Sequence, residues 1–245
     1  MIPKIAIPSH DRPELLQKVL YMIKNYNFKQ TPYVFIENKK QLELYKNVKG
    51  CKFVITKVKG IQKVRNFIYS YFLGGDFVIC FDDSFTGLRK KNKNKLIEFN
   101  NLIELCDIGY NEMRKKRTCL FGINIVENPF FMKNKIQFGN YPLSAKFSGF
   151  IKQKTKIMHS TNPSGLCEDQ ETCLNVTSFF GGVVRISGIT FNKPQYRKLS
   201  GGVQSTFNNT ERSEAEKIGC ISLWKKFPQL CEIKKSGIGL RYKRI

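Results

Sequence analysis

The sequence predicts an α/β protein, a mostly parallel sheet flanked by helices and continued by a mixed α+β half. Three observations predict it. Four apolar, β-favouring runs before residue 90 are separated by three segments of helical periodicity. The last run, residues 77–81, is hydrophobic at every position, as in a strand covered on both faces. Polar residues that a core does not need (Ser9, Arg12, Glu37, Arg65, Asp82 and Asp83) collect after successive runs. In a right-handed β-α-β succession they share one sheet edge, where open α/β sheets bind ligands.

Residues 4–8 read as the first strand, and the loop Ser9-His10-Asp11-Arg12-Pro13 leads into a helix over 14–26. That helix carries Leu15, Leu16, Val19, Leu20 and Ile23 at helical spacing. Residues 31–36 form a second strand that ends at Glu37-Asn38, and a helix over 39–48 precedes a third strand over 52–58. Gly60-Ile61 opens a helix over 62–72, which Gly74-Gly75 closes before the strand 77–81. Neither GxGxxG after the first strand nor GxxxxGK[ST] is present, so a Rossmann dinucleotide site and a P-loop are not indicated.

The second half is less regular. Residues 94–114 read as one or two amphipathic helices with Leu96, Phe99, Leu102, Ile103 and Leu105 as the core stripe, followed by a strand over 118–126. Residues 129–162 mix aromatics with Lys, including Phe130-Phe131, Phe138, Tyr141, Phe147 and Phe150. Such a mixture either packs in an α+β half or stacks bases along a nucleic-acid backbone. Glu168, Asp169 and Glu171 either begin a helix, where acids favour the positive end, or do chemistry. Gly181-Gly182 leads into a strand over 183–187, residues 211–219 read as a helix, and Trp224 reads as a core anchor. Residues 234–244 read as a basic strand facing DNA or a diphosphate. His10 and His159 lack a partner at ligand spacing and read as loop or hydrogen-bonding residues.

Length and charge narrow the class. At 245 residues the chain is long enough for one large domain, and no window is apolar for the length of a membrane span. Eight cysteines without CxxC pairs point to an intracellular, reduced protein with neither structural disulfides nor zinc. Cys51, Cys80 and Cys106 sit among apolar neighbours. The formal charge of +23 is clustered, as at Arg89-Lys90-Lys91 and Arg114-Lys115-Lys116-Arg117. This makes a polyanion, above all nucleic acid, the leading partner, although each cluster alone is also what a solvated face looks like.

Asp82 and Asp83 end the buried run. Paired hard oxygen donors there suit Mg²⁺ or Mn²⁺ and, through the metal, a diphosphate, whereas the alternative is a pair of ordinary turn residues. Ile7-Pro8-Ser9-His10-Asp11-Arg12-Pro13, Gly60-Ile61-Gln62-Lys63-Val64-Arg65-Asn66, Phe81-Asp82-Asp83-Ser84 and the later Glu168-Asp169 together resemble the GT-A nucleotide-sugar transferases. Within these they are most similar to the TET/JBP-associated group, which glycosylates hydroxymethylated pyrimidines in phage and protist DNA.

The resemblance implies a single GT-A (Rossmann-like) domain over 1–245, with 1–90 binding the nucleotide sugar and 91–245 binding the acceptor and carrying catalysis. It implies that Pro8, Ser9, Arg12 and Glu37 line a uridine and ribose pocket, with Gly60 and Ile61 beside it. Arg65 would face the diphosphate, and Asp83 with Asp82 would hold Mn²⁺ or Mg²⁺. Gly201 and Gly202, within Leu199-Ser200-Gly201-Gly202-Val203, resemble the segment that closes over donor and acceptor. Asp169 would be the base that takes the acceptor proton, with Glu168 orienting it. The implied reaction moves glucose from UDP-glucose to the hydroxyl of 5-hydroxymethylcytosine or 5-hydroxymethyluracil in double-stranded DNA. The enzyme is expected to be a cytoplasmic monomer without a membrane partner, in the host cytoplasm if a phage or virus encodes it. Ser84 departs from the family, where a third Asp or an Asn is usual. Rival readings are transfer to a protein or glycan, a metal-dependent nuclease, and a DNA-coating protein.

Overall fold

The computed structural model describes residues 2–192, 208–236 and 239–244. Its centre is an eight-stranded sheet built from β1 (Lys4–Pro8), β2 (Tyr33–Ile36), β3 (Lys52–Ile55), β4 (Phe77–Phe81), β7 (Leu120–Ile123), β8 (Ile136–Gly139), β9 (Phe147–Ile151) and β10 (Val183–Ile186). The spatial order is β3-β2-β1-β4-β9-β7-β10-β8. Six strands share one direction, whereas β9 and β8 run against their neighbours.

Side-chain alternation assigns the two faces of the sheet. Ile5, Ile7, Ile79 and Phe81 point to one face and meet α1 (Pro13–Asn25) through Leu16, Val19 and Ile23. The same face meets α4 (Leu102–Lys115) through Leu102, Leu105 and Met113. Ala6, Val78, Cys80 and Phe150 point the other way, against Ile68 and Tyr69 of α3 (Ile61–Tyr71) and Val176 of α5 (Glu168–Phe180). Each buried aliphatic or aromatic side chain in these layers contributes about 1.5–3 kcal/mol of transfer free energy, which makes the sheet the stable platform of the molecule.

A third cluster joins α5 to α6 (Asn209–Lys226) and to the hairpin of β12 (Cys231–Ile233) and β13 (Leu240–Tyr242), through Leu174, Leu223, Leu230 and Leu240. A short helix, α2 (Lys39–Leu44), is capped by Asn38, whose side chain accepts from the Gln41 N–H. All eight cysteines are free thiols, and Cys51 is half-buried rather than buried like Cys80 and Cys106. No helix among the described residues is long and apolar enough to cross a membrane.

Three expectations are corrected. The helical reading over 94–114 begins too early, because β5 (Leu88–Asn92) and β6 (Lys95–Glu98) form a hairpin that continues onto β11 (Ile189–Phe191). Lys93 adopts the left-handed conformation in its turn, with φ 51°. The helix starts only where Asn101 accepts from the Glu104 N–H. The helix expected over 211–219 runs through Gly219, whose missing side chain lets α6 approach a neighbouring loop; a Cβ there would lie 2.7 Å from Ser164 Oγ. Trp224 is not a core anchor. It is 41% exposed, while Cys220 and Leu223 carry the buried face of α6.

Candidate functional site

Parallel strand ends bring the polar residues of the first half to one cleft of about 360 Å³. Pro8, Ser9 and Arg12 come from the end of β1, Glu37 from the end of β2, Gly60 and Ile61 from the start of α3, and Asp82 and Asp83 from the end of β4. Thus eight of the thirteen residues singled out in the sequence line one wall system. Arg65, Glu168 and Asp169 do not line it, and Gly201 and Gly202 lie outside the described residues.

The two aspartates differ. The Asp83 side chain is 4% exposed against 27% for Asp82. Asp83 accepts from Ser9 Oγ at 2.9 Å and pairs with Arg12 Nη1 at 3.2 Å. Ser9 Oγ also shares a hydrogen bond with the Tyr45 hydroxyl at 2.8 Å, and that hydroxyl accepts from the Arg12 N–H at 3.1 Å. This buried chain fixes the loop after β1 against β4. Asp82 Oδ1 accepts from the Ser84 N–H and Ser84 Oγ, both at 3.0 Å, which leaves Oδ2 toward the cleft side with Arg65 Nη2 at 3.9 Å. Ser84 thus serves as a brace for Asp82.

Burial, and then the charge of Asp82, pushes the Asp83 carboxyl up to about 7 against the pull of Arg12 and Ser9. Burial also opposes ionisation of Asp82, but Arg65 and the hydrogen bonds from Asp83 and Ser84 hold it below the usual carboxylate range. Facing carboxylates of which only one ionises readily are what a dication relieves. Among the described residues no group of three or more His, Cys, Asp or Glu side chains converges on one point. Among the described residues the carboxylate donors at this point are Asp82 and Asp83. That suits Mg²⁺ or Mn²⁺, which keep waters and take substrate phosphate oxygens for the rest of their shell.

Arg65, expected to face the diphosphate, lies behind the residues that line the cleft. It is 3% exposed, and its Nε donates to Glu168 Oε1 at 3.1 Å while Nη2 reaches Asp82. One guanidinium therefore links the end of β4 to the start of α5. Burial, then the charge of Asp169, lifts Glu168 to about 7 in spite of Arg65. Burial likewise raises Asp169, against the pull of Arg65. A half-raised carboxylate pair at a helix start is suited to accept a proton.

Besides Arg12, the cations that line the cleft are Lys59 and Lys63, exposed on either side of the α3 N-terminus. Gly60 precedes that helix with φ 91°, and α3 has neither an acid in its first turn nor a side-chain cap, so its positive end at the cleft is not neutralised from within the helix. Sequence reading passed over both lysines, although their place around a helix start was a usable signal. His10 also lines the cleft, hydrogen-bonded to Gln41 and 3.2 Å from Asp11. His159 bonds Ser70 Oγ at 2.9 Å. Tyr45 had no local signal, because its contact with Ser9 arises only when β1 and β2 pair.

No protein-family model matches the sequence, and no curated protein matches it as a relative. Among solved structures, the chain superimposes on a mannosyltransferase from Pyrobaculum calidifontis in complex with GDP-Man and Mn²⁺, with a TM-score of 0.54 at 9% identity. The alignment covers 91% of this chain and 64% of that one, so the chain spans less than two thirds of its length. At this identity the likeness shows the fold, which is the GT-A-like α/β fold. A 4-diphosphocytidyl-2C-methyl-D-erythritol synthase from Anaerococcus prevotii aligns at TM-score 0.43 and 12% identity, over 79% of this chain and 92% of that one. A CMP:2-keto-3-deoxy-manno-octonic acid synthetase complexed with CTP aligns at 0.44 and 10%, over 76% and 89%.

Proposed function

We propose that this chain is a metal-assisted glycosyltransferase that moves glucose from UDP-glucose to the hydroxyl of a 5-hydroxymethylpyrimidine in DNA. The observation that carries the reading is the cleft that the carboxylates after β4 share with an acid-free helix N-terminus flanked by Lys59 and Lys63. That arrangement suits a diphosphate, since acids that could hold a dication and donors that could hold anionic oxygens line the same cleft. The fold and the excess of positive charge support the donor and acceptor classes respectively.

In this reading Pro8, Ser9, Arg12 and Glu37 form the nucleoside side of the cleft, and Gly60, Ile61, Lys59 and Lys63 take the diphosphate. Asp82 and Asp83 hold the Mn²⁺ or Mg²⁺, which as a Lewis acid stabilises the charge of the departing nucleoside diphosphate. Asp169 accepts the acceptor hydroxyl proton as that oxygen bonds to the anomeric carbon and the electron pair of the breaking C–O bond leaves with UDP. Glu168 orients Asp169, and Arg65 is a positioning residue that fixes Glu168 and Asp82 relative to each other.

The test is incubation with UDP-glucose, Mn²⁺ and duplex DNA carrying either hydroxymethylated base, followed by nucleoside mass measurement. A hexose is expected on one base. Asp83→Ala is expected to lower the rate about 1,000-fold, from the several kcal/mol a Lewis acid supplies. Asp169→Ala is expected to lower it about 100- to 10,000-fold as a lost base. Absence of both binding and transfer with every common nucleotide sugar overturns the reading. Cleavage of unmodified DNA in its place identifies a nuclease.

A further inference from the structure

A second cavity, of about 390 Å³, opens at the far edge of the sheet. Among the described residues its walls carry Lys133, Lys135, Arg185 and Arg244 and no carboxylate. Arg185 rises from β10 with its Nε donating to Ser187 Oγ at 3.2 Å and Nη2 to Gln137 Oε1 at 3.0 Å. Its guanidinium lies 4.1 Å from the Tyr141 ring centroid. Every partner among the described residues is neutral, and Nη1 has none. Burial pulls the pKa of this group down from the ordinary arginine value, yet an arginine does not shed its charge in a protein. A half-buried guanidinium held in place by neutral acceptors, among three exposed cations, has no anionic partner among the described residues. The guanidinium fork is matched to phosphate oxygens.

Position adds to charge. Asn124 follows β7, Ser187 follows β10 and Lys135 precedes β8, so the cavity opens at the same end of the sheet as Asp82 and Asp83. In the sheet order β9 and β7 stand between β4 and β10. At the usual strand spacing the two sites are therefore roughly 15 Å apart along the edge. A DNA duplex carries one charge per about 1.7 Å of axis, so one with a base at the cleft has phosphates at that reach. Beside the cavity, Phe130 and Phe131 are 80% and 66% exposed, their rings edge-on at 5.1 Å, and Phe131 forms part of the wall. Of the two readings open for the aromatics, packing holds for Phe147 and Phe150, which are buried, but not for this pair.

We propose that this edge is the acceptor-docking site. Arg185, Lys133, Lys135 and Arg244 hold a backbone phosphodiester of duplex DNA whose reacting base lies at the Asp82–Asp83 cleft, and Phe130 and Phe131 stack on its bases or sugars. The inference rests on the reading of the acceptor as DNA.

The test is anisotropy of a fluorescein-labelled 12-base-pair duplex over a salt series. Arg185→Met, which keeps the stem on Tyr141, and the exposed double variant Lys133→Ala/Lys135→Ala are each expected to weaken binding roughly tenfold at low salt. They are also expected to shrink the slope of log K against log salt by about 0.9 for each phosphate that is no longer neutralised. Phe130→Ala/Phe131→Ala is expected to weaken binding with the slope unchanged. Lys24→Ala/Lys29→Ala, exposed at the opposite end of the sheet, is the charge control and is expected to change little. Equal losses for the pocket and control variants mean diffuse attraction and overturn the proposal. No duplex binding while UDP-glucose still binds also overturns it and leaves the donor reading standing. Pocket-dependent binding without transfer from UDP-glucose upholds this site and sinks the catalytic reading.

Discussion

Glu171 shows how a single buried side chain holds a wall of the cleft. Its carboxylate accepts from Ser160 Oγ at 2.6 Å, from the Thr161 and Asn162 N–H groups at 2.9 and 2.8 Å, and from Lys226 Nζ at 2.6 Å. It thereby ties α5, α6 and the segment that leads to Gly165 and Leu166 of the cleft. Burial pushes its pKa up, but the hydrogen bonds from Lys226 and Ser160 and the charge of Lys226 outweigh it and hold the carboxyl below the ordinary glutamate value. With the folded value depressed, this stabilisation is complete above the unfolded pKa and is lost as pH falls through the folded one. Glu171→Gln is expected to cost about 3 kcal/mol at neutral pH, because buried donors lose their anion. It is also expected to flatten the fall of stability between neutral pH and about pH 3, followed by thermal melts. Parallel melting curves for the two proteins across that range contradict this account. The acids at 168–171 were visible in the sequence, but it did not separate the structural Glu171 from Glu168 and Asp169, since only packing gives Glu171 its donors.

Among the elements, β9 is the one that sets the width of the sheet. It pairs antiparallel with β4 through Cys80↔Ser148 and with β7 through Gly122↔Ser148. It runs so close to α4 that Phe121 fills the space between Gly109 and Gly149. A Cβ at Gly149 would lie 2.0 Å from the Phe121 ring, and one at Gly109 would lie 2.4 Å from it. Gly149→Ala is expected to destabilise the fold by about 1–3 kcal/mol through overpacking. The urea midpoint is expected to fall at unchanged m, and an unaltered midpoint counts against so tight a contact. The strands up to residue 81 were legible because each is a short apolar run set off by helical segments, and β4 is apolar at every position. β9 was not, because a late strand inserted between β4 and β7 is specified by long-range pairing, and Ser148 and Gly149 interrupt its apolar run. The β5–β6 hairpin was missed because Leu96, Phe99, Leu102 and Leu105 mimic a helical stripe across a strand and a cap.

For the whole molecule, the excess of cations and the cleft make different demands. A surface of net charge +23 attracts polyanions wherever its cations lie, whereas the proposed donor binding is confined to the cleft. UDP-glucose with Mn²⁺ at about one hundred times the dissociation constant is expected to stabilise the native state by about 2.7 kcal/mol. For a chain of this size that raises Tm by roughly 5–10 °C. Asp83→Ala is expected to abolish the metal-dependent part of that shift. An equal shift in the variant places the metal elsewhere.

By itself the sequence determined the α/β class, the first four strands in order, and the gathering of Ser9, Arg12, Glu37, Asp82 and Asp83 at one sheet edge. These follow from periodicity and from the one-way sense of β-α-β connections, both of which are local properties of a chain. Only the tertiary structure decided that Arg65 is locked between Asp82 and Glu168 rather than open to the cleft, and that Lys59 and Lys63 stand there instead. It also decided that Tyr45 braces Ser9 and that Arg185 lies half-buried among neutral partners at the far edge. Those facts depend on residues distant in sequence meeting across strands and helices, and a side chain's electrostatic role is set by what it meets.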